Sequence, residues 1–448
     1  MGTERIPSLL LKMSLPLMLS MLVQALYNIV DSIFVAKVSE TALTAVSLAF
    51  PLQNLIIAFG VGTSIGMSSY MSRKLGEGKT EEAENAAGNG ITLAFITWLC
   101  FVLMGIFVAK PFLHLFTDDP ELLELSSSYA RIVMILSTFA YQAMMCERIL
   151  QSTGDAFSSM LSQMIGAVTN IILDPVFIFG YKMGVNGAAI ATVIGQAVGF
   201  CVCLLRIKGN KFISLKPRHL KLEKRIVGQI YSVGVPTIIT NAIGTVMTSA
   251  MNAILIGFST TAVSVFSVYF KLQSFVFMPL FGLSAGMVPI IAFNYGARNK
   301  KRMMDTIKVG TIVGFIIMAL GTIIFNLFPR QLLTMFSATD EMYRIGVPAL
   351  KIISLCFTSA AIAICMGSSF QATGYGIGSM IVSICRQLLV LVPVSFVLSR
   401  VIGINGVWYS FLIAEVVGLG TSLIIYAYVY RTRIKPLDKP SLEDSLGE

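Results

Sequence analysis

One stretch near the start of the chain reads LPLMLSMLVQALYNIVDSIFVA (residues 15–36), and Asp31 is its only charged residue. The stretch is long enough to cross a bilayer, which takes about 17 to 25 residues of helix. Similar runs fill most of the chain, whose 448 residues are 55% hydrophobic and 12% charged. Soluble domains average about 25% charged residues. The sequence therefore predicts an all-α polytopic membrane protein.

Hydrophobic runs and the loops between them predict twelve transmembrane helices. They cover residues 13–36, 45–71, 90–110, 126–150, 160–180, 188–206, 230–257, 264–292, 309–328, 347–371, 379–400 and 406–430. Some of these spans exceed the thickness of a bilayer, which indicates tilted helices.

The loop charges predict an orientation. Lysine and arginine residues favour the side that carries the N-terminus by roughly three to one, which places both termini in the cytoplasm of a cell membrane. This bias also accounts for the net charge of +10. The basic segment 206–225 has no aromatic residue besides Phe212, so we expect it to contact anionic headgroups rather than nucleic acid.

The two halves of the chain resemble each other at an offset of 220 residues. Matching positions include Pro16 and Pro236, Gln53 and Gln273, Gly62 and Gly282, Gly66 and Gly286, and QSTG (151–154) and QATG (371–374). Six spans in each half predict two parallel six-helix lobes, related by a pseudo-two-fold axis along the membrane normal. We assign an N-lobe (1–205), a cytoplasmic basic linker (206–228), a C-lobe (229–430) and a cytoplasmic tail (431–448).

Two acidic residues inside the first lobe carry most of the functional argument. An ionised carboxylate at the bilayer centre costs about 2.5–3.5 kcal/mol on insertion scales, so such residues are expected to be partnered. Asp31 in the first span and Asp174 in the fifth lie at similar depths, with Asn170 one turn before Asp174 and Thr192 in the sixth span. Two nearby carboxylates require a proton or a cation such as sodium. The alternative is helix capping or interhelical hydrogen bonding at the kink before Pro175.

Other polar residues within the spans are weaker candidates for an ion or substrate network. Tyr27 and Tyr129 could add hydroxyl groups near Asp31. Glu415 is either a cation or drug contact in the second lobe or a satisfied buried polar group. Lys271 either lines a cleft or reaches the outer headgroups. We interpret Glu147, Arg148 and Arg386, near inner helix ends, as structural.

The acids are not duplicated. Met251 aligns with Asp31, and Val392, Pro393 and Val394 surround the position that corresponds to Asp174. The second half thus keeps the glycines and prolines but lacks the acids, as expected for an ion site confined to one lobe.

The sequence gives little support for an enzyme or a cofactor-binding protein. Its seven cysteines show no metal-binding spacing, and His114 and His219 stand alone. Neither a GxSxG motif nor a phosphate-binding loop occurs in a suitable place. We expect no cofactor, with sodium or protons as the coupling ion.

The chain resembles the MATE (multidrug and toxic compound extrusion) family, in its prokaryotic drug-efflux branch. The resembling motifs are LPLMLSMLVQALYNIVDSIFVA, YMSRKLGEGKTEEAENAA, ILQSTGD, NIILDPVFIFG and GVNGAAIATVIGQ. The resemblance implies ion-coupled efflux of cationic, amphipathic compounds. It also implies that the coupling ion binds at Asp31, Asn170, Asp174 and Thr192, and that the first helix bends at Pro16.

We therefore expect a secondary antiporter that works by alternating access, binds small cationic or amphipathic compounds and is monomeric in the bilayer. The main alternative is a flippase for lipid-linked oligosaccharides or peptidoglycan precursors. Its anionic cargo would call for several arginines in the cleft. A passive channel is a further alternative, although the duplicated lobes favour a transporter whose two lobes rock against each other.

Overall fold

The computed structural model describes residues 1–336 and 338–438, and these residues form helices without any strand. The predicted tail (431–448) is thus described only as far as Asp438, and Lys439 lies outside the described residues. The helices of the first half are α1 (Ile6–Ala36), α2 (Glu40–Gly76), α3 (Thr80–Phe107), α4 (Ala109–His114), α5 (Pro120–Ile135), α6 (Thr138–Ser152), α7 (Ala156–Pro175) and α8 (Gly184–Lys208). Those of the second half are α9 (Lys224–Ile256), α10 (Thr260–Gly296), α11 (Lys300–Leu327), α12 (Pro329–Thr334), α13 (Asp340–Ser354), α14 (Phe357–Ala372), α15 (Gly376–Ser383), α16 (Val392–Ile402) and α17 (Ile404–Val429).

Three π-helical segments extend or join these helices. They are Val176–Gly180 after α7, Ile384–Leu391 between α15 and α16, and Tyr430–Ile434 after α17. Single π-turns inside α-helices often occur at functional sites. The segment Ile384–Leu391 is longer, and it makes α15 and α16 parts of one span, Gly376–Ile402.

The described helices confirm the predicted membrane fold. Ten are long and apolar enough to cross a membrane, and the number rises to twelve if each of two bent helix pairs counts as one span. The bends are 44° between α5 and α6 and 47° between α13 and α14. The sequence predicted each pair as one continuous helix. At the breaks, Ser137 Oγ donates to the Met134 carbonyl and Cys356 Sγ to the Ile353 carbonyl, each at 2.8 Å. Such local bonds compete with the helical backbone pattern.

Helix boundaries in the two halves repeat with the offset seen in the sequence. The bounds of α10, α11 and α12 are those of α2, α3 and α4 shifted by 220 residues. The caps repeat as well, because Ser39 and Ser259 each accept a hydrogen bond from the backbone three residues on. The helix-capping serines are therefore repeated together with the hydrophobic pattern.

Contacts group the described residues into two compact units whose limits differ from the predicted lobe limits. One unit comprises residues 19–238, and the other comprises residues 1–18 with the described residues from Ile239 onwards. Each limit falls close after a proline inside a long helix, Pro16 in α1 and Pro236 in α9. A proline removes one backbone hydrogen bond and weakens the helix at that point.

Within the first unit, part of the basic linker packs against α3. Asn89 Nδ2 donates to the Lys221 carbonyl at 3.1 Å, and Asn89 Oδ1 accepts from the Glu223 amide at 2.8 Å. Thr92 Oγ1 donates to the Leu220 carbonyl at 2.7 Å. This part of the linker is a fixed structural element and not a free tether.

One close helix crossing recurs at matching positions in the two units. A Cβ atom built on Gly66 of α2 would overlap the carbonyl oxygen of Ile230 in α9, and one built on Gly286 of α10 would lie 3.0 Å from Cα of Ser14 in α1. Small residues let membrane helices approach this closely. The repeated glycines are therefore explained by the packing of α2 on α9 and of α10 on α1.

We predict that Gly66→Val destabilises the protein by about 1–3 kcal/mol or more, because the overlap involves backbone and no rotamer relieves it. Gly420→Val is the matched control, since nothing lies within 4 Å of a Cβ atom at Gly420. Thermal unfolding of both purified variants in detergent measures the difference. Equal melting temperatures for the two variants would contradict the close crossing.

Candidate functional site

The two acids singled out in the sequence meet in the structure. Asp31 projects from α1 and Asp174 from the end of α7, and their carboxyl groups lie close enough to interact directly. Asp174 is fully buried. Two carboxyl oxygens can share a hydrogen bond only when a proton lies between them, and two ionised carboxylates would need a cation instead.

Asn170 and Thr192 complete the cluster. Asn170 is 2% exposed, and its Nδ2 donates to Asp174 Oδ1 and to Thr192 Oγ1, both at 3.3 Å. Asn170 lies four residues before Asp174, so both side chains lie on one face of α7. The sixth predicted span, α8, contributes Thr192. The structure thus brings all four predicted residues together, and their role in ion coupling stays a prediction.

Three buried oxygen atoms of this cluster have no hydrogen-bond partner among the described residues. They are Asp31 Oδ1, Asp174 Oδ2 and Asn170 Oδ1. Unsatisfied buried acceptors are costly, so native proteins rarely keep them without a partner. Oxygen atoms are also the ligands that hard cations prefer. The donor set therefore fits a proton or an alkali cation.

Two tyrosines flank the acids. Tyr27 precedes Asp31 by one turn of α1, Tyr129 of α5 is buried, and both phenols interact electrostatically with Asp31 and Asp174. Tyr129 Oη also accepts a hydrogen bond from Gln53 Nε2 of α2 at 2.9 Å. Sequence reasoning did not assign Gln53 to this site. The match of Gln53 with Gln273 was interpreted only as part of the repeat. A polar residue inside a membrane span is by itself an indication of a functional site.

The second half holds a different polar arrangement. Glu415 of α17 is 6% exposed, and its Oε2 lies 3.0 Å from Nη1 of Arg386. Arg386 was expected near an inner helix end, whereas it lies near the middle of the span Gly376–Ile402. Lys271 is exposed, with its ammonium group 6.0 Å from the Phe336 ring centroid. The participation of Glu415 and Lys271 in an ion or substrate network stays a prediction.

Comparison with known proteins identifies the family. The MatE family model matches the chain twice, over residues 16–176 and 236–397, which together make up more than half of it. This chain belongs to the MatE family. The double match confirms the internal repeat, and the resemblance drawn from the sequence motifs is confirmed as well.

Relatives and solved structures of MATE proteins cover nearly the whole chain. The multidrug export protein MepA of Staphylococcus haemolyticus is 28% identical over 431 residues, covering 96% of this chain and 94% of the relative. MepA of Staphylococcus saprophyticus is 29% identical over 418 residues, covering 92% of each. An outward-facing multidrug resistance MATE transporter and a MATE protein in a straight conformation each have a TM-score of 0.91, at 25% identity and 98% coverage of both chains.

We predict that the thermal stability of this MATE protein rises when sodium is added at pH 8 or when the pH is lowered without sodium. Either cation neutralises the carboxyl pair, and a ligand that binds the folded state stabilises it by RT ln(1 + [L]/Kd). One of these two cations, sodium or the proton, should stabilise the wild type. Asp31→Asn and Asp174→Asn should each abolish the dependence of the melting temperature on that cation.

The control for this measurement is Asp118→Asn, which makes the same chemical change at a side chain that is 95% exposed. It should keep the wild-type dependence. If the melting temperature of Asp31→Asn still rises with the cation that stabilises the wild type, the cation binds elsewhere.

Proposed function

We propose that this protein is a secondary active antiporter that exports cationic or amphipathic organic compounds in exchange for sodium ions or protons. The observation that carries the proposal is the close carboxyl pair Asp31–Asp174, whose oxygen atoms Asp31 Oδ1 and Asp174 Oδ2 have no hydrogen-bond partner among the described residues. The names of the relatives, multidrug export proteins, support the same class of substrate.

The carboxyl pair couples cation binding to a change in conformation. When the pair takes up a cation from outside, the site becomes neutral and the preferred arrangement of α1 against α7 and α8 changes. A ligand shifts a conformational equilibrium only by its difference in affinity between the two states. We therefore infer that the cation binds the outward-open state more tightly and that its release to the cytoplasm resets the pair for the next cycle.

Pro16 is the point at which we expect α1 to bend. Its ring removes the hydrogen bond to the carbonyl of Lys12, so bending there costs less than elsewhere in the helix. The contact units divide α1 two residues later, after Met18. A change at Asp31, in the other part of α1, can thus reach substrate contacts by altering this helix.

The same proposal covers the oligomeric state, the cellular location and the cofactor requirement. The protein acts as a monomer in the cytoplasmic membrane, with both termini in the cytoplasm, and uses no cofactor. We do not favour the flippase alternative, because the relatives described above are named as multidrug export proteins.

Transport of ethidium into or out of proteoliposomes tests the proposal, with sodium and proton gradients imposed separately. We predict that one of the two gradients drives transport and that Asp31→Asn reduces it to background, because the amide does not exchange a cation with the solvent. Asp118→Asn, at an exposed loop position, should transport like the wild type.

Folding and insertion of Asp31→Asn are checked by size-exclusion chromatography and by its yield in the liposomes. Coupled transport at the wild-type rate by a correctly inserted Asp31→Asn protein would refute the role of this site. A wild-type protein that responds to neither gradient would refute antiport itself.

A further inference from the structure

A cavity of about 710 Å³ lies along one face of α5, within the unit of residues 19–238. Its lining residues on α5 follow one another at intervals of three or four, which places their side chains on one face of the helix. The lining includes Lys110 of α4 and, on α5, Glu124, Ser127, Arg131, Ile132 and Ile135. The volume falls in the range of about 300–1,000 Å³ that is usual for small-molecule sites.

This cavity is separate from the carboxyl pair described above. Tyr129, which flanks Asp31, is buried, whereas Arg131 is exposed. Two residues turn an α-helix by about 200°, so the side chains of Tyr129 and Arg131 leave α5 in nearly opposite directions. The helix therefore presents one face to the ion site and another face to the cavity.

The lining changes from polar to apolar along α5. Glu124 lies near the start of the helix, Ser127 and Arg131 follow, and Ile132 and Ile135 lie near its end. The distance from Glu124 to Ile135 along the helix axis is about 16 Å. Because α5 is expected to begin at the outer face, its polar part is level with the headgroups and its apolar part with the acyl chains. This order of polar and apolar groups is that of a phospholipid.

Two cations of the lining lack a charged partner. Lys110 and Arg131 are both exposed, and neither forms an ion pair within the part of the chain that the structure describes. Snorkelling at a membrane interface also exposes long cationic side chains. It does not explain why both cations border one cavity, with Ser127 buried beside them. Ammonium and guanidinium groups bind phosphate oxygens through charge-assisted hydrogen bonds, so the pair suits a phosphodiester.

One carboxylate, that of Glu124, borders the same cavity. Two cations and one anion leave the lining with an excess of one positive charge. A lipid with one net negative charge balances this excess. Phosphatidylglycerol carries that charge, and the hydroxyl groups of its headgroup can donate hydrogen bonds to an ionised carboxylate. Phosphatidylethanolamine is neutral overall and would leave the excess charge uncompensated.

The second half has cations at the matching positions but lacks this carboxylate. At the offset of 220 residues, Arg330 and Lys351 occupy the positions of the two cations, whereas Arg344 stands in place of Glu124. The Arg330 guanidinium group lies 5.9 Å from the ring centroid of Tyr343. The two halves therefore share the cations, and the mixed charge of the lining belongs to the first half.

We propose that this cavity binds a phospholipid of the outer leaflet that has one net negative charge and a hydroxylated headgroup, of the phosphatidylglycerol type. Lys110 and Arg131 hold the phosphodiester, and Glu124 accepts hydrogen bonds from the headgroup hydroxyls. Ile132 and Ile135 contact an acyl chain. This inference goes beyond the proposed export function and does not depend on it.

Native mass spectrometry of the delipidated full-length protein tests the proposal, because it gives the Kd of the first lipid bound. The probes are phosphatidylglycerol and phosphatidylethanolamine with identical acyl chains. We expect the wild type to bind phosphatidylglycerol at least tenfold more tightly, and Lys110→Gln/Arg131→Gln to bind both lipids equally, because its phosphate contacts are lost. A double variant that retains the tenfold preference would place the lipid elsewhere and overturn the proposal.

The matched control is Lys182→Gln/Arg400→Gln. It removes the same two charges at exposed positions that do not line the cavity, and it should retain the wild-type preference. An equal loss of preference in the two double variants would mean that overall charge alone attracts the lipid, and the proposed site would be wrong. Melting temperatures of both double variants check that they are folded.

Glu124→Ala tests the recognition of the headgroup. Phosphatidylmethanol has the charge of phosphatidylglycerol but no headgroup hydroxyl. The wild type should prefer phosphatidylglycerol over phosphatidylmethanol severalfold, and Glu124→Ala should bind the two equally. If phosphatidylethanolamine instead binds the wild type more tightly than phosphatidylglycerol does, and Glu124→Ala abolishes this preference, the carboxylate holds an ammonium group and the proposal is wrong.

Glycerol phosphate, which lacks acyl chains, distinguishes a lipid site from a site for a free anion. We expect that an equimolar amount of it leaves phosphatidylglycerol bound, because it makes no contact with Ile132 and Ile135. Displacement of the lipid under these conditions would identify a site for a soluble phosphate compound and contradict the proposal. A failure of ethidium transport in proteoliposomes would refute export without changing these binding constants, so the two proposals are tested separately.

Discussion

Two carboxyl groups that share a buried site cannot both remain ionised without a compensating cation. This constraint governs the first half of the molecule, where the carboxyl groups of Asp31 and Asp174 interact directly. The buried amide of Asn170 joins Asp174 to Thr192, which fixes the acids relative to α8. Three oxygen atoms of this cluster have no hydrogen-bond partner among the residues that the structure describes. The stability of this arrangement therefore depends on a proton or a metal cation from solution.

A comparison of the two halves distinguishes the residues that the fold requires from the residues that serve a function. Helix bounds, serine caps and the glycine crossings at Gly66 and Gly286 recur in both halves. The charges of these two sites do not recur, since Met251 stands where the first half has Asp31, and Gly166 stands where the second half has Arg386. Each half therefore uses the same scaffold for a different arrangement of charged side chains.

The sequence predicted the spans, the repeat and the four-residue cluster that includes Asp31, because apolar length and intramembrane acids are strong local signals. It missed the bends at Ser137 and Cys356, which depend on side chains that bond to their own helix. The partner of Glu415 was also missed. Pairing with Arg386 depends on the π-helical turn Ile384–Leu391 and on the register of α17, and neither can be read from apolar pattern alone.

Direct measurement of cation uptake tests the central claim most sharply. Purified protein is titrated with sodium at fixed pH, while bound sodium and released protons are both counted. Our account predicts that the wild type binds sodium or releases and takes up protons at this site, and that the double variant Asp31→Asn/Asp174→Asn does neither. Cation uptake by the double variant equal to that of the wild type would contradict it.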